Sequence, residues 1–268
     1  MEQNLDMPLS EVLKVIQDRL MTKSTYFGIQ TLKNPFDFWV YQEIIIETKP
    51  DVIIEIGNYC GGSTLALAHI CDLLDKGRVI GLDIAHGKVP DHVRKHHRIT
   101  FIEGDACRSF KKVRKLINKD DVVLIIEDSN HTYDNTLRVL ETYSALLKPG
   151  CYFIVEDGII HHGLDVGPNP GPYEAIETFV NENSDYEIDR SRESFLITWN
   201  PKGYLKRKNF TDKNPLINKS NKLHDRTKTK KLSAREIIKL FIPPIFIPMI
   251  RNLFNLKKFL HNRSLHTD

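Results

Sequence analysis

Acidic side chains follow two apolar segments of this 268-residue chain, at the points where each segment ends. Residues 122–127 are followed by Asp128, and residues 152–156 end in Glu156 with Asp157 directly after it. If the two segments are neighbouring parallel strands, their carboxylates lie at one rim of a sheet and repel one another unless a cation is present. Mg²⁺ takes oxygen ligands, so the three acids predict a divalent-cation site. The alternative is that one acid caps a helix while the others are solvated.

A histidine, His131, stands three residues after the first of these acids. An imidazole with an ordinary pKa of about 6.5 suits removal of a proton from a substrate hydroxyl. We therefore predict that Asp128 and His131 are catalytic, with a hydrogen-bonded structural histidine as the alternative for His131. His161 and His162 follow the second apolar segment, in a loop that either covers the site and binds substrate or is simply polar.

A glycine-rich turn, residues 55–63 (EIGNYCGGS), ends an earlier apolar segment. Glycines permit positive φ and let the backbone approach a ligand closely, and ligands of open α/β sheets bind beyond the carboxyl ends of the strands. The turn lacks both the GxGxxG spacing of dinucleotide sites and the GxxxxGK[ST] pattern of triphosphate loops. Taken alone, it is also compatible with a plain strand-to-helix connection.

Two further acids, Asp83 and Asp105, end the next two apolar segments. The spacing of Asp83 after the glycine turn is typical of an acid that binds ribose hydroxyls, and Asp105 is placed to meet an adenine ring. Each acid alone could instead cap a helix. Because acids face the ribose and the base while no basic residue is placed for a pyrophosphate, the pattern favours S-adenosylmethionine (SAM) over NAD.

The elements that must position these residues alternate along the chain. Continuous runs of β-branched residues are typical of strands buried on both faces, and strand–helix alternation favours a parallel, doubly wound sheet. The predicted fold is therefore α/β and Rossmann-like, with residues 186–190 and 195–199 as a closing antiparallel pair. The predicted strands are residues 52–57, 78–84, 99–104, 122–127 and 152–156, and the predicted helices are 10–21, 38–49, 63–75, 109–118, 134–147 and 173–182.

Charge divides the chain into an acidic body and a basic tail. Residues 1–200 hold 21 Lys and Arg against 31 Asp and Glu, whereas residues 201–268 hold 17 against 4. We predict an N-terminal helical segment over residues 1–50 that caps the substrate, a SAM-binding catalytic domain over residues 51–200, and a basic tail from residue 201. Such an asymmetry favours an anionic partner for the tail, either a membrane surface or nucleic acid.

Residues 240–250 of the tail are apolar, but they are broken by three prolines and are too short to span a bilayer as a helix, which needs about 20 apolar residues. Flanking basic residues fit a segment that lies on an anionic membrane, and an equal alternative is a linker whose apolar segment packs on the domain or on a partner subunit. The polar N-terminus does not resemble a signal peptide, and the four cysteines form no CxxC pair. We expect a cytoplasmic protein with reduced thiols, and the membrane alternative for the tail would place it peripherally at the membrane surface.

Four segments, taken in order, resemble the cephalosporin hydroxylase family. That family consists of class I SAM-dependent methyltransferases and includes rhamnosyl O-methyltransferases that act on glycolipids. The segments are residues 34–43 (NPFDFWVYQE), 55–63, 128–131 (DSNH) and 155–157 (VED), and the resemblance covers roughly residues 24–208. Each motif alone is weak, but the ordered set is specific.

The resemblance implies both cofactor contacts and a metal site. The residues implied to contact SAM, with Glu55 and Tyr59 added from the same turn, are Glu55, Gly57, Tyr59, Ser63, Asp83 and Asp105. The implied Mg²⁺ ligands are Asp128, Glu156 and Asp157, in a layout similar to that of catechol O-methyltransferases. In that layout a lysine three residues after the first metal ligand is the general base, whereas this chain has His131 there.

These inferences predict a metal-assisted, SAM-dependent O-methyltransferase. By the resemblance, its acceptor is a hydroxyl of a sugar, a glycolipid or another polyol-like small molecule. One rival is a nucleic-acid methyltransferase with the tail as a phosphate-binding arm, but the acidic body argues against it and we expect no nucleic-acid partner. The other rival is a non-catalytic nucleotide-binding subunit, which would have no need of the clustered acids. A homo-oligomer is compatible with the sequence.

Overall fold

A seven-stranded sheet forms the centre of residues 5–209, the part of the chain that the computed structural model describes. The strands in chain order are β1 (Thr25–Tyr26), β2 (Ile29–Gln30), β3 (Val52–Ile56), β4 (Arg78–Asp83), β5 (Ile99–Glu103), β6 (Val123–Glu127), β7 (Tyr152–Val155), β8 (Tyr186–Ile188) and β9 (Tyr204–Arg207). The sheet has the order β5-β4-β3-β6-β7-β9-β8, whereas β1 and β2 pair only with each other in a separate two-stranded sheet. Its first five strands are parallel, and β9 is antiparallel to both of its neighbours. The predicted α/β class and mostly parallel sheet are confirmed.

Seven helices flank the strands within the described residues. They are α1 (Leu9–Lys23), α2 (Pro35–Thr48), α3 (Gly62–Leu73), α4 (Asp91–Arg94), α5 (Ala106–Lys115), α6 (Tyr133–Tyr143) and α7 (Pro172–Glu182). The six predicted helices are all present, and only the single turn of α4 was not predicted. α5 begins three residues earlier than expected, because Asp105 caps it by accepting a hydrogen bond from the Arg108 backbone N–H at 2.9 Å.

Helices cover both faces of the sheet, which is why its central strands are continuously apolar. All five residues of β3 are buried, with Ile54 and Ile56 packed in one apolar cluster and Ile53 in another. α5, α6 and α7 contribute to the first cluster, and α2 and α3 to the second. α2 therefore belongs to the core of the sheet domain, although the sequence placed it in a capping segment over residues 1–50.

The closing strand of the sheet lies later in the chain than predicted. Residues 195–199 were expected to be a strand, but Leu196 is 80% exposed and has φ of +66°, so that prediction was wrong. β9, at Tyr204–Arg207, pairs with β7 and β8 instead. The sheet thus extends past the boundary drawn at residue 200.

One buried carboxylate, Asp37 of α2, explains where the chain turns before β9. Asp37 accepts hydrogen bonds from the Asn34 amide (2.7 Å), the Trp199 backbone N–H (2.7 Å), the Thr198 hydroxyl (2.5 Å) and the Tyr204 hydroxyl (2.8 Å). These contacts fix residues 198–199 as a bend over α2, so the strand forms only after it.

The tail lies outside the described residues from residue 210 onward, and so do the predictions made for residues 240–250. Within the described residues, no helix combines the length and the apolar character needed to cross a membrane. The four cysteines are free thiols, as the sequence predicted.

We predict that Asp37→Ala lowers the free energy of unfolding by about 3 kcal/mol, because it leaves several buried donors without an acceptor. Urea denaturation of the two proteins measures this difference. The control is Asp91→Ala, whose carboxylate is 85% exposed and should change stability little. Equal unfolding midpoints for Asp37→Ala and the native chain would contradict the role given to Asp37.

Candidate functional site

A cavity of about 630 Å³ opens at the carboxyl ends of the parallel strands. It lies where the strand order reverses between β3 and β6, the position at which open α/β sheets bind ligands. Its wall contains most of the predicted site residues, namely Gly57, Tyr59, Ser63, Asp83, Asp105, Asp128, His131 and Asp157. The structure therefore brings together residues that lie far apart in the sequence, from Gly57 to Asp157.

The glycine turn after β3 is built for close backbone approach. Gly57 has φ of +92°, and a Cβ at this position would lie 1.9 Å from the Asp128 carbonyl oxygen. A Cβ at Gly62 would lie 1.9 Å from the Thr31 hydroxyl oxygen. Side chains are thus excluded from both positions, because the turn is in contact with the end of β6 on one side and with the segment after β2 on the other.

Asp83 at the end of β4 holds the same turn from its other side. One of its carboxylate oxygens, Oδ2, accepts hydrogen bonds from the backbone N–H groups of Asn58 (2.8 Å) and Tyr59 (2.9 Å). The other oxygen has only a long contact of 3.4 Å to the Ala85 N–H. Asp83 lines the cavity, so this second oxygen remains available to a ligand hydroxyl.

Tyr59 and Asp105 lie on the cavity wall with other contacts of their own. The Tyr59 hydroxyl donates to Gln30 at 3.2 Å, and the Lys88 ammonium lies 4.4 Å from the centre of the Tyr59 ring. Asp105 caps α5 and also binds Arg138 at 3.1 Å. The helix-cap alternative for Asp105 therefore applies, and its contact with adenine stays a prediction.

Glu55 is the predicted SAM contact that the structure does not place on the cavity wall. It is fully buried behind the turn, where its carboxylate accepts hydrogen bonds from Asn58 Nδ2 (2.9 Å) and Thr64 Oγ1 (2.5 Å). Burial raises the pKa of this carboxyl, and nearby Lys33 opposes the rise. Glu55 is thus a positioning residue for the turn and for the start of α3.

At the acidic end of the cavity, Asp128, His131 and Asp157 converge. Each offers one ligand atom, and the three atoms lie within 4.8 Å of one another. His131 Nε2 is 3.2 Å from Asp157 Oδ2. Burial raises the pKa of Asp157 to about 6, and the charge of His131 opposes the rise. The ligand types and spacing of this cluster are compatible with a divalent cation.

Glu156 belongs to this acidic end but lies deeper, and it brings in a residue that the sequence did not predict. Lys33, which precedes α2, places its Nζ 2.5 Å from Glu156 Oε1 and 2.6 Å from Asp128 Oδ2. Burial alone would lower the pKa of Lys33, but the charges of Asp128 and Glu156 outweigh it and raise that pKa. An ammonium therefore lies between two of the predicted metal ligands.

No sequence pattern pointed to Lys33. It is a single lysine in a polar stretch before the Asn-Pro cap of α2, about 95 residues from the acid it binds. Its position follows from the packing of the segment after β2 over the glycine turn, which is a tertiary contact.

A second group of metal-type ligands among the described residues lies elsewhere. Asp72, His96 and His97 cluster near the end of α3 and the start of β5, at the opposite edge of the sheet. There Arg98 contacts Asp72 at 2.6 Å. None of these three residues lines the cavity, so the acidic end of the cavity is the candidate cation site.

The wall of the cavity away from the glycine turn is mostly apolar. It includes Leu20 and Met21 of α1, Ile160 and Val166 of the loop after β7, and Trp199. The Trp199 indole N–H donates to Gln17 at 2.8 Å, which fixes the ring. This wall differs in chemistry from the glycine turn and from the acidic end of the cavity.

The loop after β7 lines this side of the cavity, but its two histidines have structural partners. His161 Nδ1 is 2.9 Å from Asp165, and His162 Nε2 is 2.7 Å from Glu174 while its ring stacks on Tyr173 at 3.6 Å. Residues beside them line the cavity, whereas the histidines themselves do not.

Comparison with known proteins identifies the family of this chain. The family model described as Rhamnosyl O-methyltransferase/CmcI matches residues 18–208. The chain belongs to that family. It is 34% identical over 191 residues to the rhamnosyl O-methyltransferase of Mycobacterium tuberculosis (strain H37Rv), covering 69% of this chain and 78% of the relative. The enzyme of the same name from Mycobacterium leprae is 36% identical over 193 residues, covering 69% and 83%.

Solved structures agree in fold. An apo structure of CmcI superposes with a TM-score of 0.54 at 25% identity, covering 69% of this chain and 76% of that one. A CmcI structure described as Mg-SAM has a TM-score of 0.55 at 21% identity, covering 72% and 84%. The predicted family and the predicted class of enzyme, a SAM-dependent O-methyltransferase, are both confirmed.

We predict that Asp83→Ala weakens SAM binding at least tenfold, because it removes both the anchor of the turn and a partner for the ligand, a loss of about 1.4 kcal/mol or more. Isothermal titration calorimetry with SAM measures it, and Asp91→Ala is the exposed-acid control. Unchanged affinity in Asp83→Ala would exclude Asp83 from the SAM site.

Proposed function

We propose that this protein transfers the methyl group of SAM to a hydroxyl oxygen of a sugar-containing acceptor, with the help of a divalent cation. The observation that carries the acceptor class is the 34–36% identity to rhamnosyl O-methyltransferases over most of the length of those relatives. The cavity supports this proposal, because the glycine turn, the acidic end and a separate apolar wall all line it.

The donor occupies the part of the cavity that Gly57, Ser63, Asp83 and Asp105 line. Asp83 accepts hydrogen bonds from the ribose hydroxyls through Oδ1, the oxygen that does not bind the turn. The adenine lies at the end of β5, next to Asp105. Positive φ at Gly57 lets the backbone reach the donor without a side chain in between.

The cation would be held by Asp128 and Asp157, with either Glu156 or His131 completing the ligand set. When bound, such an ion polarises a hydroxyl and lowers its pKa. The two ligand sets differ in the role left to His131, which is a base in the first and a ligand in the second.

We assign the base role to His131. Asp157 contacts its Nε2 at 3.2 Å and so fixes the ring, and Nδ1 remains to accept a proton. The acceptor hydroxyl loses its proton to His131 as its oxygen attacks the methyl carbon. The carbon–sulfur bond breaks at the same time, and S-adenosylhomocysteine leaves. Alignment of oxygen, carbon and sulfur in one cavity supplies much of the rate.

The apolar wall of α1, the loop after β7 and Trp199 shapes the acceptor side. Indole and aliphatic side chains contact the C–H faces of a sugar ring and leave the hydroxyls to polar groups. Peripheral membrane contact through the basic tail, a cytoplasmic location and a homo-oligomeric state stay predictions. Nothing among the described residues favours a nucleic-acid acceptor.

We predict that EDTA-treated protein loses methyl transfer to a rhamnosyl glycoside and regains it with Mg²⁺, because the acceptor hydroxyl no longer loses its proton readily. Radiolabelled methyl transfer measures the activity, and calorimetry of SAM binding in EDTA is the control for an intact donor site. Full transfer in EDTA would remove the metal from the mechanism.

His131→Gln separates the two roles of the histidine. If His131 is the base, transfer falls by about 100-fold or more, while the affinities for SAM and Mn²⁺ stay within about threefold of the native values. His162→Gln is the matched control because His162 lies off the cavity wall. A loss of Mn²⁺ affinity in parallel with activity would make His131 a ligand and refute the base assignment.

A further inference from the structure

Lys33 is a buried cation in a site that is otherwise acidic. Only 7% of its side chain is exposed, and its Nζ lies 2.6 Å from Asp128, 2.5 Å from Glu156 and 4.0 Å from Glu55. We propose that Lys33 is a tethered internal cation that occupies part of the divalent-cation site and has to leave Asp128 when that ion binds. The proposal rests on the cation site proposed above and goes beyond it by adding a competitor from the chain itself.

Lys33 and the ion compete because Lys33 already contacts an oxygen of Asp128, the first predicted ligand. Mg²⁺ lies about 2.1 Å from its ligand oxygens. An ion on Asp128 Oδ2 would therefore lie within about 5 Å of an ammonium that is itself 2.6 Å from that oxygen, a range at which two cations repel strongly in a buried site. One carboxylate oxygen cannot bind the ammonium and the ion together as tightly as it binds either alone.

The backbone around Lys33 is fixed, so displacement has to involve the side chain. Asn34 is buried and caps α2 by accepting a hydrogen bond from the Phe36 N–H at 3.2 Å, and Pro35 begins the helix. A lysine carries its charge on four rotatable carbons. The ammonium can therefore leave Asp128 while the start of α2 stays in place.

In consequence, the fold is stable without a bound ion. The site also binds a divalent cation more weakly than its carboxylates alone would. Without an ion, Lys33 neutralises the acids whose repulsion would otherwise destabilise the fold. When the ion binds, its charge neutralises these acids in place of the Lys33 ammonium. Lys33 thus sets the concentration of divalent cation at which the enzyme becomes loaded.

The first test compares Mn²⁺ binding by native protein, Lys33→Met and Lys33→Arg, using the electron paramagnetic resonance signal of free Mn²⁺ in the presence of S-adenosylhomocysteine. We expect Lys33→Met to bind Mn²⁺ at least tenfold more tightly than the native chain, and Lys33→Arg, which keeps the charge, to stay within threefold of it. Lys14→Met, at a lysine that is 66% exposed on α1, controls for the loss of a positive charge and should not change the affinity.

Equal or weaker Mn²⁺ binding by Lys33→Met would overturn the proposal, as would equal tightening in Lys33→Met and Lys33→Arg. If none of the proteins binds Mn²⁺, the metal role itself fails, and the proposed function is what the experiment has refuted.

A second measurement uses the native protein and so does not depend on the folding of a variant. Acetylation of Lys33 by acetic anhydride, quantified by mass spectrometry, should be slow without Mn²⁺ and rise at least threefold at saturating Mn²⁺, while acetylation of Lys14 stays constant. Labelling of Lys33 that does not respond to bound Mn²⁺ would show that the ammonium stays in place and would overturn the displacement.

Discussion

Like charges meet at the carboxyl ends of β6 and β7, and the neutralisation of that charge is the constraint on which the site depends. Asp128, Glu156 and Asp157 lie at adjacent strand ends, with Glu156 buried. Burial and the charge of Asp128 raise the pKa of Glu156 well above its usual range. Carboxylates so placed require a positive partner. Lys33 supplies such a charge from outside the sheet, and in the proposed mechanism a divalent cation takes its place on Asp128.

A second constraint, close backbone packing, links the acidic end to the donor end. Gly57 contacts the Asp128 carbonyl, so the turn that approaches the nucleoside lies directly against the strand end that carries the first acid. Asp83 holds the other side of that turn through two backbone N–H groups. The proposed donor and cation sites therefore share one wall, which is the geometry that in-line transfer requires.

The sequence predicted the parts of this arrangement that depend on local periodicity. Buried strands are recognisable because helices on both faces make them continuously apolar, as in β3 and β6. Since parallel strands end at one edge, the convergence of Asp83, Asp128 and Asp157 could be predicted as well.

The predictions that failed concerned features that depend on tertiary contacts. The run at 195–199 has the composition of a strand, but its backbone follows Asp37, and Lys33 reaches the acids through packing that no local pattern encodes. Glu55 lies in the motif predicted to bind SAM, but its buried carboxylate accepts hydrogen bonds from Asn58 and Thr64 instead of lining the cavity.

In the proposed mechanism one cleft holds both the methyl donor and the divalent cation. The paramagnetic effect of Mn²⁺ on the ¹³C-methyl resonance of protein-bound SAM tests this, since such broadening requires that ion and methyl group lie close together. We expect strong broadening in the native protein and none in Asp128→Asn. A methyl resonance with the same width in the presence and absence of bound Mn²⁺ would place the two ligands apart and contradict it.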